Sequence, residues 1–275
     1  MVPRFSDVMA LRPVEARPGR FAANLDENWT IGPKVHGGVM VALCAKAARE
    51  AYLDEAAADP AGVRAVAVSV NFLSAPDPGA VRLDTAVRKR GRRIGLVDVE
   101  LLAGQRVCVH ATVTLGALER SGDAPVLTVD QAAARMSPGP PAGVAAIAPG
   151  HPAGEINNLA RGCHIHPVVP DPPAAGEAPL FRTWVRPRDG RVDDLFALMC
   201  GDISLPAPYA AGRRGWAPTV QLTAYLRAIP ADGWLRVVAT AAEIGQEWFD
   251  EDHTVVDSAG RIVVQTRQLA LVPAR

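Results

Sequence analysis

His36, Gly37 and Gly38 stand directly before the run "VMVALCAKAAREAY". If that run is a helix, the triplet can do chemistry. The first turn of a helix carries unpaired backbone N–H groups and a partial positive charge, and residues without a Cβ let a ligand oxygen approach them closely. A carbonyl oxygen becoming an oxyanion is a fitting ligand, and one well-placed donor to it is worth about 3 kcal/mol. The same glycines would also serve a tight turn and close packing, and His36 could simply cap or fill an entrance. Arg88 to Arg93, "RKRGRR", reads as a solvated hairpin tip whose guanidinium groups, Arg92 among them, suit phosphate oxygens. Cys163, His164 and His166 in "RGCHIHP" are conceivable metal ligands, but they lack a second ligand pair, so no metal is assigned. The chain has no G-x-S-x-G elbow, P-loop, H-E-x-x-H or C-x-x-C, so no motif supports a serine hydrolase, a nucleoside triphosphatase or a common zinc class.

The elements that would position these residues are legible. From Gly38 to Tyr52 only Lys46, Arg49 and Glu50 are strongly polar, and their spacing puts them on one stripe of a helix buried on its other sides. Four strand patterns follow, "RAVAVSVNFL", "AVRLDTAVRK", "RIGLVDVELL" and "QRVCVHATVTL", divided by turn signals. After Leu118 the chain becomes rich in Pro, Gly and Ala, and residues 119–178 read as a linker. The pattern then returns. A strand "LFRTWVRP" leads to a helix near Asp193 to Leu205, begun by the cap candidates Asp193 and Asp194 and stopped before Pro206. Strands are expected at "PTVQLTAYLRA", "WLRVVATAAEI", "HTVVDSA" and "RIVVQTRQLALV". The two halves share their turn and hairpin residues at an offset of roughly 154 to 156, so the chain reads as a duplication in which each copy wraps an antiparallel sheet around a helix. The units span 1–118 and 179–275.

Composition sets the remaining bounds. With 275 residues, 49% of them apolar, the chain can bury a large core. It carries 29 basic and 29 acidic residues, so no net field draws it to nucleic acid or to an anionic membrane. Four widely spaced cysteines, mostly in apolar runs, suit a reducing cytoplasm. Neither a signal-peptide core nor an 18-residue apolar span is present. The basic residues are nearly all Arg beside abundant Ala, Gly and Pro, the usage of a GC-rich bacterial genome.

The HGG before a buried helix, "VSVNFLSAPDPG", "RGRR", "FRTWVRP", "CGDISLPA", "PTVQLTAYLRAIPADGW" and "VDSAGRIVVQTRQLAL" resemble the thioesterase-like superfamily of double hotdog proteins, related to bacterial acyl-CoA thioesterase II. The resemblance runs from about Phe21 to Pro273. It implies an α+β double hotdog fold and a cytoplasmic hydrolase of lipid metabolism. Such an enzyme cleaves an acyl-CoA thioester with an activated water and needs neither metal nor organic cofactor. It also implies the site. Asp202, after "LFALMCG", Thr219, opening "PTVQLT", and Gln268, in "VVQTRQLAL", match the family's water-positioning Asp, Thr or Ser, and Gln. A carboxylate among Leu, Met and Cys is poorly solvated and gains basicity, while a hydroxyl and an amide fix one water. His36, Gly37 and Gly38 would then take the thioester carbonyl, and Arg92 the phosphates of coenzyme A.

Gln221 and Thr223 are expected on the strand face of Thr219, lining the same pocket. An acidic residue would be expected where Gln221 stands, so this chain departs from the better-known thioesterases there. The alternative is an acyl-ligand binding protein with little turnover. A hotdog hydratase is disfavoured because "GDISLPAPYA" lacks the His such an enzyme would pair with its Asp. The acyl-CoA substrate is the one partner expected, with a homo-oligomer left open.

Overall fold

The computed structural model describes residues 2–14, 17–54, 62–119, 125–128, 133–148, 150–151, 153–168, 170, 173–174 and 176–274. Its strands are β1 (Arg12–Pro13), β2 (Arg20–Leu25), β3 (Thr30–Ile31), β4 (Lys34–Val35), β5 (Val63–Phe72), β6 (Gly79–Arg90), β7 (Ile94–Ala103), β8 (Arg106–Ala117), β9 (Cys163–Val168), β10 (Leu180–Pro187), β11 (Thr219–Leu226), β12 (Leu235–Thr240), β13 (Trp248–Val256) and β14 (Ile262–Leu271). Three α-helices accompany them, α1 (Phe5–Val8), α2 (Gly37–Asp54) and α3 (Asp194–Cys200), and three short 3-10 turns. The strands β3 and β4 form a small ribbon; the other twelve form one sheet in the order β1-β2-β6-β7-β8-β5-β11-β14-β13-β12-β10-β9. The fold is thus mixed and sheet-dominated.

That order is a palindrome about the β5–β11 pair. Every strand on one side has its counterpart on the other, and all neighbours are antiparallel. At the middle, Ser69 and Thr223 lie opposite each other and share a 3.1 Å hydroxyl hydrogen bond. These two residues are 154 positions apart, the offset of the sequence repeat. Irregularity is repeated too: the β5–β8 ladder slips between Ala65 and Ala67, and the β11–β14 ladder slips between Thr219 and Gln221. An extra residue on one strand re-aims the side chains beyond it, which becomes important at the site.

α2 is buried along Val39 to Ala45 and at Ala47, Ala48 and Ala51. Its polar stripe is anchored, with Lys46 donating to the Met9 carbonyl and Arg49 to that of Val63, both at 2.8 Å. α3 is much shorter than the stretch to Leu205 suggested. Asp193 caps its start by accepting from the Phe196 N–H at 2.7 Å, but the helix ends at Cys200. Asp202 therefore sits in the turn beyond it. The two helices meet head to tail, α2's first turn against α3's last. A Cβ on Gly38 would collide with the Met199 carbonyl oxygen, which is backbone and cannot rotate away. Gly38 is needed for this approach.

The supposed linker is not structureless. Cys163–Val168 is the edge strand β9, paired with β10, and Pro167 is tolerated there because an edge strand leaves one row of N–H groups unpaired. Residues 133–139 also pack down: Arg236 donates to the Met136 carbonyl at 3.0 Å and the Trp184 indole to that of Ser137 at 2.8 Å. Cys163 points into the core, whereas His164 and His166 stack edge-on against Trp234.

Candidate active site

Asp202 lies where the two halves touch. Its side chain is 10% exposed. Burial raises its pKa, opposed by the His36 ring and by a hydrogen bond from the Gly38 N–H. The carboxylate thus caps the N-terminus of α2 from across the seam, although it follows the C-terminus of its own helix α3. A negative group gains there from the helix dipole as well as from the amide. Gly37 completes the fit: a Cβ at this position would lie 2.5 Å from Asp202 Oδ2 and 3.3 Å from the Phe72 ring. His36 clasps the same turn, its Nε2 2.8 Å from the Asp202 carbonyl oxygen. A carbonyl only accepts, so Nε2 carries the hydrogen. His36 Nε2 is 3.7 Å from Oδ2.

Facing Asp202 is a chain of polar side chains on the inner surface of the second half-sheet. Thr219 Oγ1 donates to Gln268 Oε1 at 3.2 Å, and Gln268 Nε2 donates to Glu251 Oε2 at 2.8 Å. Glu251 Oε1 accepts from Ser204 Oγ at 2.9 Å, and Ser204 Oγ is 2.9 Å from His253 Nε2. Burial pushes the Glu251 carboxyl up to about 8, against the hydrogen bonds from Ser204 and Gln268. The same effect pushes His253 down to about 3, leaving its ring uncharged. Gln268, Glu251 and His253 are buried, at 6%, 1% and 2% exposure, while Thr219 and Ser204 are partly exposed.

Asp202, Thr219, Gln268, Glu251, Ser204, His36 and Gly37 all line one cavity of about 790 Å³. Its remaining wall is mainly apolar, with Met40, Phe72, Ile203, Leu205, Phe249 and Leu271 prominent. Lys34, His151, Arg214 and the half-exposed Trp216 lie among its lining residues too. The cavity thus joins a group of polar and titratable side chains to a mainly apolar wall.

Gln221, Thr223 and Arg92 are elsewhere, and Gly38 packs against Met199 and does not line the cavity. Simple alternation puts Gln221 beside Thr219, but the bulge intervenes: Thr219 pairs with the buried Ala270, while Gln221 pairs with the exposed Leu269. Gln221 therefore faces the outer surface and donates to Thr223 Oγ1 at 3.0 Å. It does not line the cavity. Arg92 is at the exposed β6–β7 hairpin tip. Nearby Arg90 donates to the Tyr52 carbonyl at 2.7 Å and covers the Tyr52 ring, which ties the hairpin to the last turns of α2. At ~1.5 Å per residue, Tyr52 is about 22 Å along the helix from Gly37. Arg92 is thus remote from the cavity.

Glu251, His253 and Ser204 escape a reading of the strands one at a time. The repeat exposes two of them. In the first half Val97 pairs with Val113 and Val99 with Ala111; in the second Glu251 pairs with Gln268 and His253 with Thr266. Polar residues in one copy at core positions of the other mark a site.

Comparison with known proteins gives a consistent result. Residues 25–116 match the model of the acyl-CoA thioesterase N-terminal domain, and residues 132–272 that of the acyl-CoA thioesterase C-terminal domain. An uncharacterized protein of Mycobacterium tuberculosis H37Rv is 54% identical over 289 residues, covering 98% of this chain and 99% of the relative. A solved structure from Thermobifida fusca, provisionally designated thioesterase II, covers 100% of both chains at 26% identity and a TM-score of 0.79. A hot dog protein of unknown function from Alicyclobacillus acidocaldarius covers 98% of both at 19% identity and a TM-score of 0.76, a likeness of fold.

Proposed function

The chain belongs to the acyl-CoA thioesterase family, and from that premise we propose that it is a double hotdog enzyme hydrolysing an acyl-CoA thioester with a water activated by Asp202. The observation that carries this reading is the placement of Asp202, buried against the α2 N-terminus, in one cavity with Thr219 and Gln268. Raised basicity in a carboxylate that must take a proton from water is the property hydrolysis requires.

In the proposed step the water gives one hydrogen bond to Asp202 and a second to the Thr219–Gln268 pair, which leaves an oxygen lone pair aimed at the thioester carbonyl. Thr219 donates its own hydrogen to Gln268. Its lone pairs remain available to the water. Attack forms a C–O bond as the water proton passes to Asp202, and the negative charge that develops on the carbonyl oxygen is favoured by the field of the α2 N-terminus. Collapse breaks the C–S bond and the proton held by Asp202 passes to the leaving sulfur, which releases coenzyme A and a carboxylic acid and restores the carboxylate. The absence of a Cβ at Gly37 leaves room for the Asp202 carboxylate at this end of the helix, and the apolar wall takes the acyl chain.

The test is release of free thiol from saturated acyl-CoAs of graded length. Turnover with a chain-length optimum supports the enzyme reading. Tight binding of a non-hydrolysable acyl-CoA analogue without hydrolysis of any substrate would replace it with the binding-protein reading.

A further inference from the structure

Resting on the hydrolase reading, we propose that Glu251 is a positioning residue for the hydrolytic water, acting through the amide of Gln268 and itself held by the Ser204–His253 pair. A glutamine amide has two orientations of nearly equal shape, and only one presents oxygen to Thr219. Glu251 Oε2, 2.8 Å from Gln268 Nε2, selects it: the carboxyl oxygen facing Gln268 needs a donor, so the amide nitrogen turns towards it and Gln268 Oε1 turns to Thr219. The choice is the same whether Glu251 holds its proton or not, because a protonated carboxyl can give its hydrogen to Ser204 instead. Ser204 then donates to His253 Nε2, 2.9 Å away.

Glu251, His253 and Gln268 are buried, and packing alone does not require them to be polar, since the equivalent strand pair of the first half is built with Val97, Val99 and Val113. A buried carboxyl with an amide, a hydroxyl and an imidazole is costly in such a place unless it serves the cavity they adjoin. The charged or titratable groups facing Glu251 are Asp202, from the turn after α3, and His253, on its own strand through Ser204; β14 presents the uncharged Gln268, and Ala207 donates its backbone N–H.

The test compares Glu251→Val, which copies Val97, with the isosteric Glu251→Gln. Gln at 251 can accept from Gln268 and donate to Ser204, so it reproduces the protonated carboxyl. We expect Glu251→Val to lower kcat about thirtyfold or more with KM within about threefold, and Glu251→Gln to recover kcat to within about fivefold of wild type. In the Glu251→Val background Gln268→Ala should cost little further, because both act on one water. Wild-type kcat should also decline above about pH 8, where an ionised Glu251 would oppose the oxyanion, and Glu251→Gln should lack that decline. A Glu251→Val enzyme within threefold of wild type, full additivity with Gln268→Ala, or equal losses in the Val and Gln variants would each overturn the proposal while leaving a working hydrolase. Absence of any wild-type hydrolysis would instead remove the reading on which it rests.

Discussion

The two halves of the sheet carry matching strands in matching register, yet their inner faces differ in kind. In the first half Ala65, Val97, Val99 and Val113 pack under α2; at the equivalent ladder positions the second half has Thr219, Glu251, His253 and Gln268. The helices differ in step with the sheets. α2 has 18 residues and α3 only 7, so α3 is shorter by ~16 Å at 1.5 Å per residue. The cavity lies where the short α3 ends against the start of α2, and residues of both halves line it. The lesson is a division of labour within a duplicated fold: the packed copy supplies rigidity and a helix N-terminus, and the relieved copy supplies the polar side chains that the N-terminus faces.

That contrast can be broken directly by giving the second half the first half's residues. Thr219→Ala, Glu251→Val and Gln268→Val together should lower kcat by about a thousandfold or more, since the water then keeps only Asp202. The melting temperature should change little, because apolar groups replace the polar ones while Ser204 and His253 keep their mutual hydrogen bond. A collapse of the fold would show that the network is structural.

The glycine pair sharpens the comparison at the seam. Gly37→Ala puts a methyl against the Asp202 carboxylate and should lower kcat about ten- to a hundredfold in steady-state assays, with a smaller effect on stability. Gly38→Ala meets the Met199 carbonyl instead, so we expect a loss of about 2–4 kcal/mol in denaturant unfolding. The two neighbours should thus separate into a kinetic and a structural phenotype.

Smaller effects lie in pH dependence. Glu251 has a folded pKa of about 8, above its ordinary 4.5, so the folded state binds more protons than the unfolded state between those values. Stability from this group is full below about pH 4.5 and is lost as pH rises through about 8, a change on the order of a few kcal/mol. Melting curves between pH 5 and 9 should show that decline, and Glu251→Gln should flatten it. Arg92→Ala, at the far end of α2, should change KM less than about threefold.

Much of this architecture was legible because duplication and period-two strands leave strong marks. The repeat offset, the buried α2 and the glycine pair at its start all stood in the residues themselves, and resemblance brought in Asp202, Thr219 and Gln268. What stayed hidden has local physical causes. The bulge after Thr219 inserts one residue, and a single insertion sends Gln221 to the opposite face. Glu251 lies just ahead of "HTVVDSA", the stretch that reads as a strand; in fact β13 begins at Trp248, with Asp250 and Asp252 facing outward to Arg267 while Glu251 and His253 face inward. The early end of α3 at Cys200 depends on Gly201 fitting against Thr266 and Val264 of β14, a tertiary contact that no helical periodicity encodes.

The central claim is that Asp202 takes the proton of the attacking water at the end of α2. Asp202→Asn keeps the size of the side chain and an oxygen for the Gly38 N–H while removing the basicity, so kcat for acyl-CoA hydrolysis should fall between about a hundredfold and ten-thousandfold. Binding of a non-hydrolysable acyl-CoA analogue, measured on the same preparation, should stay within about threefold of wild type. Unaltered turnover in Asp202→Asn would contradict the account.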